Sequence, residues 1–294
     1  MRRTGLLFLL SFSLFILCCA CGNTQPQSGN SLSALSREHT RIVSLNGTVT
    51  EILCALGLEQ YIVAADVTST YPPSVQQLPK VGHNRSMSAE RILAERPTLV
   101  IGLKEQIKPE LAEQLRGAGV QLMACDFGYS IESGKKLIAQ LADTFGVPEQ
   151  GAALSSGIDT DLATVVLPAA SPRVLFIYAR GAGTLMVAGK HTAPNTMVQL
   201  SGGQNAVEDF EDFKPLTAEA LVKANPDVIL MFDDGLQSLG GMDGLLQVQG
   251  VKETNAGKNR QVIEMDGLYL TGFGPRTGKA VATLSKKLNE VVIR

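Results

Sequence analysis

There is no tryptophan among the 294 residues, and histidine is nearly as scarce, at three. Those three, His39, His83 and His191, are scattered, and past the leader cysteines the body holds only Cys54 and Cys125, too far apart for a Cys-x-x-Cys pair. No recognisable zinc spacing results. Neither Gly-x-Ser-x-Gly nor His-Glu-x-x-His occurs, which removes the nucleophile elbow and the helical zinc-protease signature. The Gly-rich run 180–183 is not followed by Lys-Ser/Thr, so it is no phosphate loop. Basic excess is missing too. Without Arg2 and Arg3, 24 of the 26 basic residues remain against 28 acidic ones, a net charge of about −4 that argues against nucleic acid as a partner. Beyond residue 20 no apolar run approaches the roughly 18 residues of a spanning helix.

What is present begins with an export signal. Arg2 and Arg3 precede a short apolar core, residues 5–16, and then Leu17-Cys18-Cys19-Ala20-Cys21. Small residues before a cysteine resemble a bacterial lipobox with Cys21 as the lipidated residue, so residues 1–21 are expected to be a lipoprotein signal peptide. Residues 22–38 are polar and rich in Ser, Gln and Asn, as a flexible tether is. A diacyl anchor would hold the chain at a membrane surface with no spanning helix. Cys54 and Cys125, the cysteines of the body, lie in apolar patterns and are expected to be buried thiols, although an exported pair can also bridge.

The body is long enough for two domains. Strands are expected at residues 41–45, 61–65, 98–102 and 120–125, and helices at 50–57, 110–118 and 131–145. This β-α-β alternation predicts a parallel sheet covered by helices. A long helical pattern at 148–166 ends in a Pro-rich break. A second cycle then starts, with strands at 173–178 and 261–265, a short strand or turn at 185–189, helices at 195–200 and 278–288, and loops at 234–241 and 270–277. The expectation is therefore α/β: two Rossmann-like lobes, residues 39–146 and 170–294, joined by a connector helix within residues 147–169. A helical connector implies small lobe movements instead of wide hinge closure.

One pattern occurs in both lobes. Ser88-Ala89-Glu90 precedes apolar positions, Pro97 and a strand, and Thr217-Ala218-Glu219 precedes apolar positions, Pro226 and a strand. The first helix is expected to be capped by Ser86 or Ser88. In open α/β folds ligands sit at the carboxyl ends of the strands, so two such lobes make one cleft from those loops.

The lipobox-like signal, the two lobes with a helical connector and the paired Ser/Thr-Ala-Glu resemble the binding proteins of iron-chelate and cobalamin ABC importers. Within that cluster the loops resemble the haemin-binding proteins of bacterial haem uptake. The segments that carry the likeness are residues 41–45 with Thr50-Glu51-Ile52, residues 78–82, 202–206, 213–217, and Gly272-Phe273-Gly274-Pro275-Arg276-Thr277. The resemblance implies a class III substrate-binding protein at the cell surface or in the periplasm. Such a protein is no enzyme and acts as a monomer that hands haemin to an ABC permease. The absence of Trp also favours haemin, because cobalamin and siderophore binders often line their clefts with it. A corrinoid or ferric siderophore in the same fold, a chelatase and an adhesion module are the alternatives.

In the resembled family a Tyr usually follows Val-Gly and ligates haem iron, with a basic residue two positions on. Here these positions hold His83 and Arg85. His83 is thus the expected iron ligand, since a neutral imidazole nitrogen serves haem iron well. Arg85 is expected on a propionate, which suits an Arg fork. Tyr71 is a second candidate ligand. Arg180 is a further candidate for a propionate, Tyr178 for a cleft wall, and His191 for a second contact beside a helix start. Arg276 is expected either on the ligand or fixing its own turn. Glu90 and Glu219 sit in first helical turns, where a carboxylate complements the helix dipole. The resemblance implies that each meets an Arg of the permease.

Overall fold

A computed structural model of the chain describes residues 39–83 and 86–292. The signal peptide, Cys21, the tether and Arg85 lie outside the described residues. All of the described residues belong to one of the chain's two contact units, the one that ends at Arg294.

The first cycle runs β1 (Ile42–Ser44), α1 (Gly47–Ala55), β2 (Ile62–Ala65), α2 (Ala89–Ala94), β3 (Leu99–Leu103), α3 (Pro109–Gly117), β4 (Gln121–Cys125) and α4 (Ile131–Thr144). The strands form a parallel sheet in the order β2-β1-β3-β4. Both β1 and β3 are buried throughout, as central strands covered on two faces must be. Successive side chains go to opposite faces. Ile42, Leu99 and Ile101 enter one core with α1 and α4, while Val43 and Val100 enter another with α2 and α3.

Helix α1 starts earlier than the β-branched run Thr48-Val49-Thr50 suggests. The side chain of Asn46 accepts from the backbone N–H groups of Thr48 (2.8 Å) and Val49 (3.3 Å), so the expected turn is the first turn of the helix. At the start of α2, Ser88 holds the cap position, but its side chain makes no capping hydrogen bond, whereas Thr217 caps the equivalent helix by accepting from Ala220 N–H (3.2 Å).

Then follow α5 (Pro148–Leu162), β5 (Arg173–Ala179), β6 (Leu185–Ala188), α6 (Ala193–Leu200), β7 (Gln204–Asn205), β8 (Phe213–Pro215), α7 (Ala218–Ala224), β9 (Val228–Phe232), α8 (Asp233–Ser238), α9 (Gly241–Leu245), α10 (Asn255–Lys258), β10 (Val262–Met265), α11 (Gly267–Thr271) and α12 (Thr277–Val292). The second sheet has the order β10-β9-β5-β6-β8, with β7 also on β5. It is mixed, because β6 pairs antiparallel with both β5 and β8. The expected loop at 234–241 is instead helical on both sides of a turn, where Gly240 and Gly241 take left-handed φ of 90° and 74°. Part of the expected loop at 270–277 is likewise the end of α11.

Helix α5 packs on α4 and on α12, helices of different sheets. Glycines permit both approaches. A Cβ on Gly151 would lie 2.5 Å from the Cβ of Ala142, and one on Gly278 would lie 2.6 Å from Ile158 O. Leu162 and Phe127 touch the cores on both sides of this junction.

Candidate functional site

The carboxyl ends of β3, β4, β5, β9 and β10 and the amino end of α1 open onto one cleft of about 910 Å³. Each strand delivers side chains as it ends: Leu103, then Phe127 and Tyr129, then Tyr178 and Arg180, then Phe232 and Asp233, and finally Asp266. This is where parallel α/β sheets bind ligands, because strands stop and loops with free side chains begin.

The cleft wall is aromatic on two sides. From the second sheet, Phe232 lines it, with Tyr178 against its ring at 6.2 Å and the buried Phe176 behind it, edge to face at 4.9 Å. From the first sheet, Phe127 and Tyr129 line it 6.3 Å apart, with Tyr129 in turn 6.2 Å from Phe273. Flat apolar faces of this kind suit a planar, largely apolar ligand.

Four of the residues singled out in the sequence line this cleft: His83, Tyr178, Arg180 and His191. His83 is half-buried and comes from the loop after β2. Tyr178 and Arg180 project from the end of β5, two positions apart and therefore on the same side of the strand. Arg180 Nε donates a short hydrogen bond to the Tyr178 hydroxyl. Tyr129 is placed differently. Burial, with the charges of Glu105 and Asp212, pushes its phenol above the usual range and keeps it neutral. His191 has a left-handed backbone, φ 60°, and its Nδ1 stands 3.6 Å from a Glu211 carboxylate oxygen at the exposed rim.

Tyr71 and Arg276 do not line the main cleft. They line a side pocket of about 240 Å³ that shares Thr70 and Asp266 with it. The Arg276 guanidinium lies 3.6 Å from the ring centroid of Tyr71 and 5.0 Å from that of Tyr269. It also donates from Nε and an Nη to the two carboxylate oxygens of Glu51, at 2.9 and 2.8 Å. Burial pulls its pKa down, but the Glu51 hydrogen bonds and charge more than offset this, and the net direction is upward.

Glu90 and Glu219 lie in the first turns of α2 and α7, exposed in both places. Cys54 and Cys125 are free thiols. Among the described residues no group of three or more His, Cys, Asp or Glu is placed to hold a metal ion, and no helix is long and apolar enough to cross a membrane.

Sequence reasoning missed Asn46, Phe127, Tyr129 and Phe232 as cleft residues. The signal for the last three was their position just past or at the end of an apolar strand. Asn46 was hidden because the helix it caps was expected to start only at residue 50.

Comparison with known proteins agrees with this geometry. The periplasmic haem-binding protein RhuT from Roseiflexus sp. RS-1 superimposes with a TM-score of 0.82 at 41% identity, over 86% of this chain and 98% of that one. The periplasmic haem-binding protein BhuT, solved with two haems, gives 0.80 at 38% identity over 86% and 98%. The haem-binding protein HmuT gives 0.77 at 31% identity over 85% and 84%, and has also been solved with single alanine replacements of a tyrosine, a histidine and an arginine. Curated relatives are more distant. The ABC transporter substrate-binding lipoprotein YvrC of Bacillus subtilis is 26% identical over 90% of this chain and 85% of its own length. A vitamin B12-binding protein of Vibrio parahaemolyticus is 24% identical over 90% and 95%. The model of the periplasmic binding protein family matches residues 42–268. Two α/β sheets whose strand ends face a common cleft, with a helix packed against both halves, are thus the class III form of that fold, and the chain belongs to the periplasmic binding protein family.

Proposed function

We propose that the chain is the substrate-binding component of an ABC haem importer, holding haemin in the cleft and releasing it to a permease. One observation carries the reading. A histidine from the first sheet's loops and a tyrosine with an arginine on its hydroxyl, from the second sheet, line the same aromatic-walled cavity. Imidazole and phenolate are both established axial ligands of haem iron. His83 and Tyr178 are the assigned iron ligands. Arg180, which donates to the Tyr178 hydroxyl, is the partner that orients this ligand, as outer partners commonly do for metal ligands.

The relative HmuT supports the assignment. Its altered tyrosine and arginine are two positions apart, as Tyr178 and Arg180 are, and its altered histidine lies well upstream. Tyr71, with its ring on Arg276, keeps the side pocket and leaves the iron to Tyr178. Glu90 and Glu219 are the docking carboxylates, one for each half of the permease, and Cys21 is the lipidated anchor on the outer face of a membrane.

The test is a haemin titration of the purified protein, with cobalamin as the control. A Soret shift with haemin and none of the corrinoid's own spectral changes is expected. His83→Ala and Tyr178→Phe should each alter the bound spectrum. A chain that binds cobalamin and leaves the haemin spectrum untouched overturns the reading.

A further inference from the structure

The charge of the cleft does not match the charged ends of haem. Five carboxylates line it, those of Glu105, Asp212, Asp233, Asp234 and Asp266. Among the described residues, the cations facing them are Lys104 and Arg180, and protein groups engage both. Lys104 Nζ is 3.3 Å from Asp126, and Arg180 Nε is on the Tyr178 hydroxyl. The two histidines apart, the described lining therefore sets five carboxylates against two cations.

Haemin at neutral pH is a ferric porphyrin core with one positive charge and two propionates, a net monoanion. The aromatic walls and the two assigned ligands offer partners for its ring and iron, while the five carboxylates of the lining offer none for its propionates. We infer, resting on the haem-binding reading, that this cleft selects its cargo by macrocycle and iron and not by its carboxylates. The propionates contribute no net affinity, and the acidic lining slows their approach. The ring cation alone, by the same field, is drawn in.

Salt separates these contributions, because screening weakens repulsion and attraction alike. Stopped-flow association is measured at several ionic strengths with haemin and with its dimethyl ester, whose esterified side chains leave a net monocation. The ester is expected to bind with an affinity within about threefold of haemin or tighter. Raising salt from 10 to 150 mM, about 30 and 8 Å of screening length, should speed haemin association and slow that of the ester. Asp233→Asn with Asp234→Asn should flatten both dependences. An ester that binds more than tenfold weaker, or haemin association that slows with salt, overturns the inference. So does Arg85→Ala if it weakens haemin tenfold and spares the ester, since Arg85 would then hold a propionate. Failure of both compounds to bind would instead remove the haem reading itself.

Discussion

Glu51 and Arg276 are 225 positions apart in the chain and meet in a two-point ion pair, with the Glu51 side chain 5% and the Arg276 side chain 21% exposed. The pair ties α1 of the first sheet to the turn before α12. A second tie lies beside it, where the Thr48 hydroxyl donates to Gly272 O at 2.7 Å. Removing one member of a buried pair leaves the other charge without its partner, at about 3–5 kcal/mol. Glu51→Ala should lower stability by about 3 kcal/mol in urea unfolding, the smaller end of that range because the Tyr71 and Tyr269 rings remain on the guanidinium. A loss under 0.5 kcal/mol would mean the pair is not formed in solution.

Two helical glycines should respond in opposite directions to alanine. A Cβ on Gly134 would lie 2.1 Å from Phe273 O, so Gly134→Ala forces α4 away from the 272–276 turn. Overpacking of this kind costs about 1–3 kcal/mol. Gly157 is exposed in α5 with nothing near its absent Cβ, and Gly157→Ala should stabilise by about 0.5–1 kcal/mol. Thermal unfolding of the two variants checks both signs.

The thiols predict an alkaline limit. Burial, with the Asp126 charge, pushes Cys125 up to about 11, and burial, with Glu59 and Glu51, pushes Cys54 up to about 12, from an ordinary 9.0. The unfolded chain therefore releases these protons first as pH rises. Their contribution to stability is whole below pH 9 and falls away between 9 and the folded values. Urea midpoints from pH 8 to 11 should fall, and Cys125→Ala should reduce the slope. Native protein lacking the leader should react slowly with a thiol reagent at pH 8 and quickly once unfolded.

Arg180→Ala removes the donor on the Tyr178 hydroxyl. On the proposed ligation the phenol then loses the hydrogen bond that orients it toward the iron, and the spectrum of the haemin complex should change. Haemin affinity at pH 7 should drop about tenfold, a loss of about 1.4 kcal/mol. Tyr178→Phe, which removes the oxygen itself, should change the spectrum further than Arg180→Ala does.

Glu90 and Glu219 are exposed, and neither lines the cleft. Glu90→Lys and Glu219→Lys should leave haemin titration within twofold of the parent and lower haemin uptake in cells, most of all together. Unchanged uptake in the double variant would remove the docking role.

Most strands were legible as apolar runs, as in Leu99–Leu103, whereas β7 and β8, Gln-Asn and Phe-Lys-Pro, are too short and too polar to carry such a run. The cleft was legible wherever a polar or aromatic residue stands just beyond such a run, which is why Tyr178 and Arg180 stood out. His83 carried weight through its place after Val81-Gly82 in a known pattern. What stayed hidden is of two kinds. The Glu51–Arg276 tie spans most of the chain, and no local spacing marks it. The helices α8 and α9 are short and surround Gly240-Gly241, so their glycines read as loop although tertiary packing of Leu236 and Leu245 holds them helical.

Helix α5 sets a phase between the two halves. An α-helix turns 100° and rises 1.5 Å with each residue, so its 15 residues fix both an offset and an angle. Gly151 near one end seats on Ala142, and Ile158 and Asp161 near the other seat on Gly278. One residue inserted between them would rotate the second seat by about a quarter turn relative to the first. His83 and Tyr178 would then no longer face a common cavity, though neither had been touched. The length of this segment, counted in whole residues, is as much a part of the binding site as the side chains that line it.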